Sequence, residues 1–301
     1  MIYLLFAICF SASLNVIFKF SEKMNSNRIA VCFFNFMGAA LFSLTFVSRQ
    51  FLADPKWING FISGLGQSAF QGVPSSLFNP STLVLLIGFI NGFLYFGAFY
   101  VLQISTSRNG SAMTATFNKL GVMVPAVLSV VFFREVPGKL QIAGVIIALL
   151  AIIIINIKKE RNSVITLKFA LFATFFLGGF ADFTSKIYQV YGLEKYQALF
   201  IFFTFLFSLT GTGLFMFFRD RRIKRTDVFF GLLLGIPSQL ISLFLLRSLT
   251  TVPAFVVFPL FSVGVILVVN IINLLFFREK LTRRQFSAIG LIIIAVVLLN
   301  L

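Results

Sequence analysis

The sequence predicts an all-α membrane protein of about ten transmembrane helices, laid out as two five-helix inverted repeats. Three observations carry this expectation. The 301-residue chain is 59% hydrophobic and only 11% charged, with a mean hydropathy of +1.00. Its apolar runs are near-continuous and about as long as a bilayer is thick. A motif from the middle of the chain returns near its end.

Composition sets the solvent. A soluble domain is roughly half apolar and about a quarter charged. A water-facing shell cannot hide the apolar surface found here, so the solvent is lipid. Backbone groups find no partner in lipid, so each crossing is a helix or a strand of a closed barrel. The runs lack the alternation of barrel strands, which leaves helices. They cover residues 2–19, 29–49, 82–106, 111–133, 140–157, 166–188, 196–218, 227–248, 252–277 and 284–301. The first run lacks a basic n-region and a small-residue cleavage site, so it reads as a retained helix.

The segment from Gln50 to Ser81 is rich in Gly, Ser and Pro and reads as a loop. It carries Trp57, Phe61, Leu65 and Phe70. Trp favours the membrane interface, so an interfacial lid and a tolerated loop insertion both stay open.

The formal net charge is +16. In a soluble protein that would suggest a nucleic-acid partner. Here the basic residues sit between apolar runs, densest in Arg219-Asp220-Arg221-Arg222-Ile223-Lys224-Arg225. There they anchor helix ends and fix topology, so no nucleic acid is expected. Cys9 and Cys32 lie inside apolar runs and read as small core residues. Histidine, the commonest zinc ligand and general base, is missing. No catalytic constellation, metal or cofactor is expected, and the chain does not read as an enzyme.

The repeat is specific. At a constant offset of 144, Phe132, Phe133, Arg134, Glu135, Gln141, Ala151 and Asn156 match Phe276, Phe277, Arg278, Glu279, Gln285, Ala295 and Asn300. Further back, Gly88 and Gly92 match Gly231 and Gly235, and Asn15 and Lys19 match Asp182 and Lys186. Phe42-Ser43-Leu44-Thr45 matches Phe207-Ser208-Leu209-Thr210. The halves are thus 1–157 and 158–301. An odd number of helices per half inverts the second half in the membrane, and inverted repeats suit alternating access.

These residues carry a family resemblance. The chain resembles the drug/metabolite transporter superfamily, in the EamA-type group with two five-helix domains. Glu135 with Gly144, and Glu279 with Ala288 and Gly290, fit its signature, as does the approach Pro253-Ala254-Phe255-Val256-Val257-Phe258-Pro259. The resemblance covers almost the whole chain. It implies a secondary transporter in the cell (plasma) membrane, and export of a small polar or amphipathic metabolite such as an amino acid. Small multidrug resistance relatives use a Glu in their first helix, where this chain has Asn15. Proton-coupled multidrug efflux is therefore the alternative. A lipid-handling or non-transporting membrane subunit is a third reading. No ATP-binding motif is visible, so energy would come from gradients of solute, H⁺ or Na⁺.

Ionisable residues inside apolar runs are costly and mark candidate sites. Lys119 lies about 12 Å along its helix from Ser111 by helical rise. Asp182 and Lys186 stand at i, i+4 and could pair with each other. The plain alternatives are snorkelling for Lys119 and a self-neutralised helix end for the other two. Asn15, Tyr95 and Tyr100 join them as candidate substrate-binding residues. Tyr188 and Tyr191 are further candidates for a cavity wall. Glu135 and Glu279 read as structural: a carboxylate before a helix start favours its dipole and caps free N–H groups.

The loops after the odd-numbered helices carry most of the Lys and Arg residues. By the positive-inside rule both termini are then expected outside the cytoplasm.

Overall fold

The computed structural model of the chain describes residues 1–53, 56–70, 79–156, 168–219, 222–276 and 283–301. Among these residues all regular structure is helical. The helices are α1 (Ile2–Lys23), α2 (Arg28–Ala53), α3 (Lys56–Phe70), α4 (Pro80–Asn109), α5 (Ser111–Leu120) and α6 (Met123–Phe133). They continue as α7 (Lys139–Asn156), α8 (Lys168–Tyr191), α9 (Gln197–Arg219), α10 (Arg225–Ser248), α11 (Ala254–Phe276) and α12 (Arg283–Asn300). A short 3₁₀ turn, Glu194–Tyr196, precedes α9.

Among the described residues, seven segments are long and apolar enough to cross a membrane: Ile2–Lys23, Arg28–Leu52, Pro80–Asn109, Met113–Phe133, Glu194–Phe218, Arg225–Ser248 and Ala254–Leu275. The protein is an all-α, multi-pass membrane protein. Lys139–Ile155 and Gln285–Asn300 are shorter apolar helices. The helix α8 falls outside both groups because Asp182, Thr184, Ser185 and Lys186 crowd its second half.

Two elements differ from the sequence expectation. Much of the expected loop from 50 to 81 is helical: α2 runs on to Ala53, and α3 fills Lys56–Phe70. Phe61 on α3 is buried against Tyr196 and Phe203, so an apolar stripe on this helix is packed inward. Gly and Ser content suggested a loop, but Phe61 and Leu65 repeat at helical spacing and tertiary contact decides. The expected helix 111–133 is also interrupted, at Gly121 and Val122, between α5 and α6. Pro125 explains it. Its ring has no N–H to give and would meet the carbonyl of Gly121 in a continuous helix. Val124 N–H still reaches that carbonyl at 3.0 Å.

The chain forms two compact units. One holds Met1–Ala12, Gly97–Lys186 and Phe244–Leu301; the other holds Ser13–Phe96 and Ile187–Leu243. Each draws on both halves of the sequence. In the first unit α7 lies along α12, and α6 lies against α11. The small Ala148 and Ala151 of α7 and Ala295 of α12 permit this, packing with Ile152 of α7, Ile292 of α12 and Val263 of α11. In the second unit α2 lies along α9. Gly92 on α4 meets α9 so closely that a Cβ there would sit 2.6 Å from the Cβ of Phe207 and 2.7 Å from the Thr204 carbonyl oxygen. Ser208 Oγ bonds the Gly92 carbonyl at 2.9 Å across this crossing. Gly235 on α10 meets Gly38 on α2 in the same way, with a Cβ at Gly235 falling 2.6 Å from the Gly38 Cα.

Candidate functional site

The first unit holds Lys119, Glu135, Asp182 and Lys186 on or beside its apolar helices. The framework that places them begins at a glycine crossing. A Cβ on Gly179 of α8 would lie 2.5 Å from both the Gly121 carbonyl oxygen and the Val124 Cβ. Only glycine lets α8 pass this close to the α5–α6 interruption. Lys119 stands two residues before Gly121, in the last turn of α5. Asp182 stands three residues after Gly179, nearly one turn on. The crossing therefore brings the two side chains to the same region.

Lys119 and Asp182 are each half-buried, and their charges act on one another. They do not form a contact ion pair; the Lys119 side chain donates no hydrogen bond to another described residue, and the Asp182 carboxylate accepts none from one. The C-terminal end of α5 carries partial negative charge from its free carbonyls, which favours an ammonium there. The carboxylate of Asp182 adds to that field. The result is an amine and a carboxyl group placed to act on one another, each with hydrogen-bonding capacity to spare.

One turn further along α8 the arrangement is closed. Lys186 Nζ lies 3.0 Å from Glu135 Oε1, with side-chain exposures of 7% and 12%. Ala254 N–H donates to Glu135 Oε1 at 3.1 Å, and Phe255 N–H donates to Oε2 at 3.3 Å. The Glu135 carboxylate thus occupies the N-terminus of α11, where free N–H groups and the helix dipole both favour an anion. It lies against α11 rather than α7, the helix that follows it in sequence. Arg134 makes this reach feasible: it ends α6 in the left-handed region, at φ 53°, and redirects the chain. The Lys186 ammonium also sits 5.8 Å from the centroid of the Phe133 ring. The acid in contact with Lys186 is Glu135, whereas the sequence spacing suggested Asp182.

Of the other sequence candidates, Tyr100 belongs to the same unit and is half-buried. Asn15 and Tyr95 belong to the second unit, with Asn15 exposed and Tyr95 half-buried. Glu279 lies outside the described residues. The Tyr188 hydroxyl donates to the Leu193 carbonyl at 2.8 Å, and its ring stacks on Phe200 at 4.1 Å between centroids, so this residue is packed structure. Tyr191 is exposed.

The second unit holds polar residues that the sequence reading passed over. Ser238 Oγ donates to Asn35 Oδ1 at 2.8 Å in the interior. Gln239 beside it is fully buried, and both atoms of its amide lack a hydrogen-bond partner among the described residues. A Gln inside an apolar run was the available signal.

No family model and no curated protein matches the sequence. A solved crystal structure, described only as that of a protein, is similar over 99% of this chain and 94% of its own, with a TM-score of 0.75 at 12% identity. At that identity the likeness concerns the fold alone.

Proposed function

We propose that the chain is a secondary transporter of a small polar or amphipathic metabolite, such as an amino acid, with export as its direction. The observation that carries this reading is the open pair of Lys119 and Asp182. A structural ion pair in an apolar setting is closed by contact and hydrogen bonds, as Glu135 and Lys186 are. An open pair leaves an ammonium for a carboxylate and a carboxylate for an amine, which suits a zwitterion.

An inverted repeat would supply the two-state scaffold. The seven spans, the two shorter apolar helices and α8 together make about ten crossings. Support comes from how matched elements pack. Gly88 and Gly92 of α4 meet α9, while their repeat partners Gly231 and Gly235 of α10 meet α2. The helices α2 and α9 are themselves a matched pair, as are α6 with α11 and α7 with α12, and each pair is in contact. A two-fold relation between the halves 1–157 and 158–301 requires such reciprocal packing. This layout is that of the drug/metabolite transporter superfamily, with residence in the cell membrane and coupling to H⁺, Na⁺ or solute gradients.

Proton-coupled efflux of cationic drugs is the weaker reading, because the Lys119 ammonium beside Asp182 repels a cation. The experiment is uptake into proteoliposomes with labelled amino acids, sugars and cationic dyes. Lys119→Met should weaken transport of anionic and zwitterionic substrates and spare simple cations, and Asp182→Asn should do the reverse. Parental rates in both variants for every substrate would make the two residues anchors rather than a site.

A further inference from the structure

The turn between α1 and α2 and the turn before α10 are built as one piece, within the second unit. Asp227, fully buried, accepts the Asn27 N–H on Oδ1 at 2.9 Å and the Lys224 N–H on Oδ2 at 2.8 Å. The Asn27 side-chain amide donates to the Arg222 carbonyl at 3.0 Å, and Lys224 Nζ donates to the Asn25 carbonyl at 2.8 Å. Asn25 holds the left-handed φ of 51° that turns its carbonyl region toward this partner. Around this frame stand Lys23, Arg28, Arg222, Lys224 and Arg225, all exposed. Among the described residues, the acids beside them are engaged: Glu22 with Arg28 at 2.7 Å, and Asp227 with backbone N–H groups. The turns therefore present surplus positive charge on a fixed frame. Their tips are apolar as well, with Met24 58% and Ile223 48% exposed. All of this caps the ends of membrane-crossing helices.

We propose that these paired turns bind the headgroup of an anionic phospholipid. The cations match a phosphodiester, and clustered Lys and Arg at the ends of membrane helices draw anionic lipid. The exposed Met24 and Ile223 select a lipid over free phosphate, because they would meet the acyl region beneath the headgroup and have nothing to offer an inorganic anion. The Asp227 clamp lowers the ordering cost of binding by fixing the backbone of the two turns that carry these side chains.

The test follows thermal unfolding of the full-length protein in neutral detergent with short-chain phosphatidylglycerol, phosphatidylcholine or inorganic phosphate. Phosphatidylglycerol should raise the midpoint where the other two do not. Arg225→Gln should need about 5-fold more phosphatidylglycerol for the same rise, and Lys224→Gln with Arg225→Gln about 30-fold more. Lys139→Gln, which removes a charge from the other unit, should leave the midpoint concentration unchanged. If the double variant fails to fold, Arg225→Gln alone decides. An unchanged phosphatidylglycerol response in the folded variants, or an equal response to inorganic phosphate, overturns the proposal.

Discussion

Lys186 and Glu135 meet at 3.0 Å inside the apolar part of the first unit, while Asp182, one turn earlier on α8, faces Lys119 without contact. The helix α8 thus contributes one member to each of two oppositely charged pairs, one closed and one open. The closed pair has its remaining oxygen capacity taken up by the first N–H groups of α11.

Removing either member of the closed pair strands the other in an apolar setting. Both side chains are nearly nine-tenths buried or more, so solvent screens them little. Glu135→Ala and Lys186→Met should each destabilise by about 3–5 kcal/mol. Glu279→Ala should act likewise, from its place in the repeated motif. Fluorescence-detected size-exclusion chromatography should show the folded fraction falling more than transport per folded molecule. Normal folding with transport lost would assign Glu135 to the chemistry instead.

The open pair should behave differently toward folding. Lys119→Met or Asp182→Asn alone leaves one charge without its counter-charge, whereas the double variant leaves none. The double variant should therefore recover folded yield relative to at least one single variant, while transporting no zwitterion. A double variant whose yield equals the sum of both single losses would show that the charges do not interact.

The glycine crossing offers a packing test. Gly179→Ala puts a Cβ against the Gly121 carbonyl oxygen and the Val124 side chain, so α8 must shift, at roughly 1–3 kcal/mol. Gly290→Ala meets nothing within 4 Å and should stabilise by about 0.5–1 kcal/mol through helix propensity. Thermal midpoints of the two variants in detergent should move in opposite directions. Movement of both in the same direction would argue against the close approach at Gly179.

Orientation is checked in cells. With both termini outside the cytoplasm, a C-terminal green fluorescent protein fusion should stay dark and a C-terminal alkaline phosphatase fusion should be active. A bright fluorescent fusion overturns that assignment.

The helical, membrane-embedded class was legible because apolar length and composition suffice for it, as Ala254–Leu275 illustrates. The interruption at Gly121 was also written in the chain, by Pro125, but a lone Pro near a span's middle competes with an otherwise unbroken apolar run. The helix α3 was missed because its Gly and Ser content resembles a loop until Phe61 is seen packed on Tyr196. The partner of Lys186 was hidden for a different reason. Sequence spacing displays neighbours four residues apart, such as Asp182, and conceals Glu135, which tertiary packing brings from fifty-one positions away.

The glycine crossings bear on how such a chain can change over time. At Gly92 and Gly235 the neighbouring atoms stand where a side chain would begin, so these positions admit almost no replacement. Most lipid-facing positions ask only for an apolar residue and accept Phe, Leu, Ile or Val alike. A lineage under these rules can drift nearly everywhere yet keep its backbone, provided a few side chains stay absent.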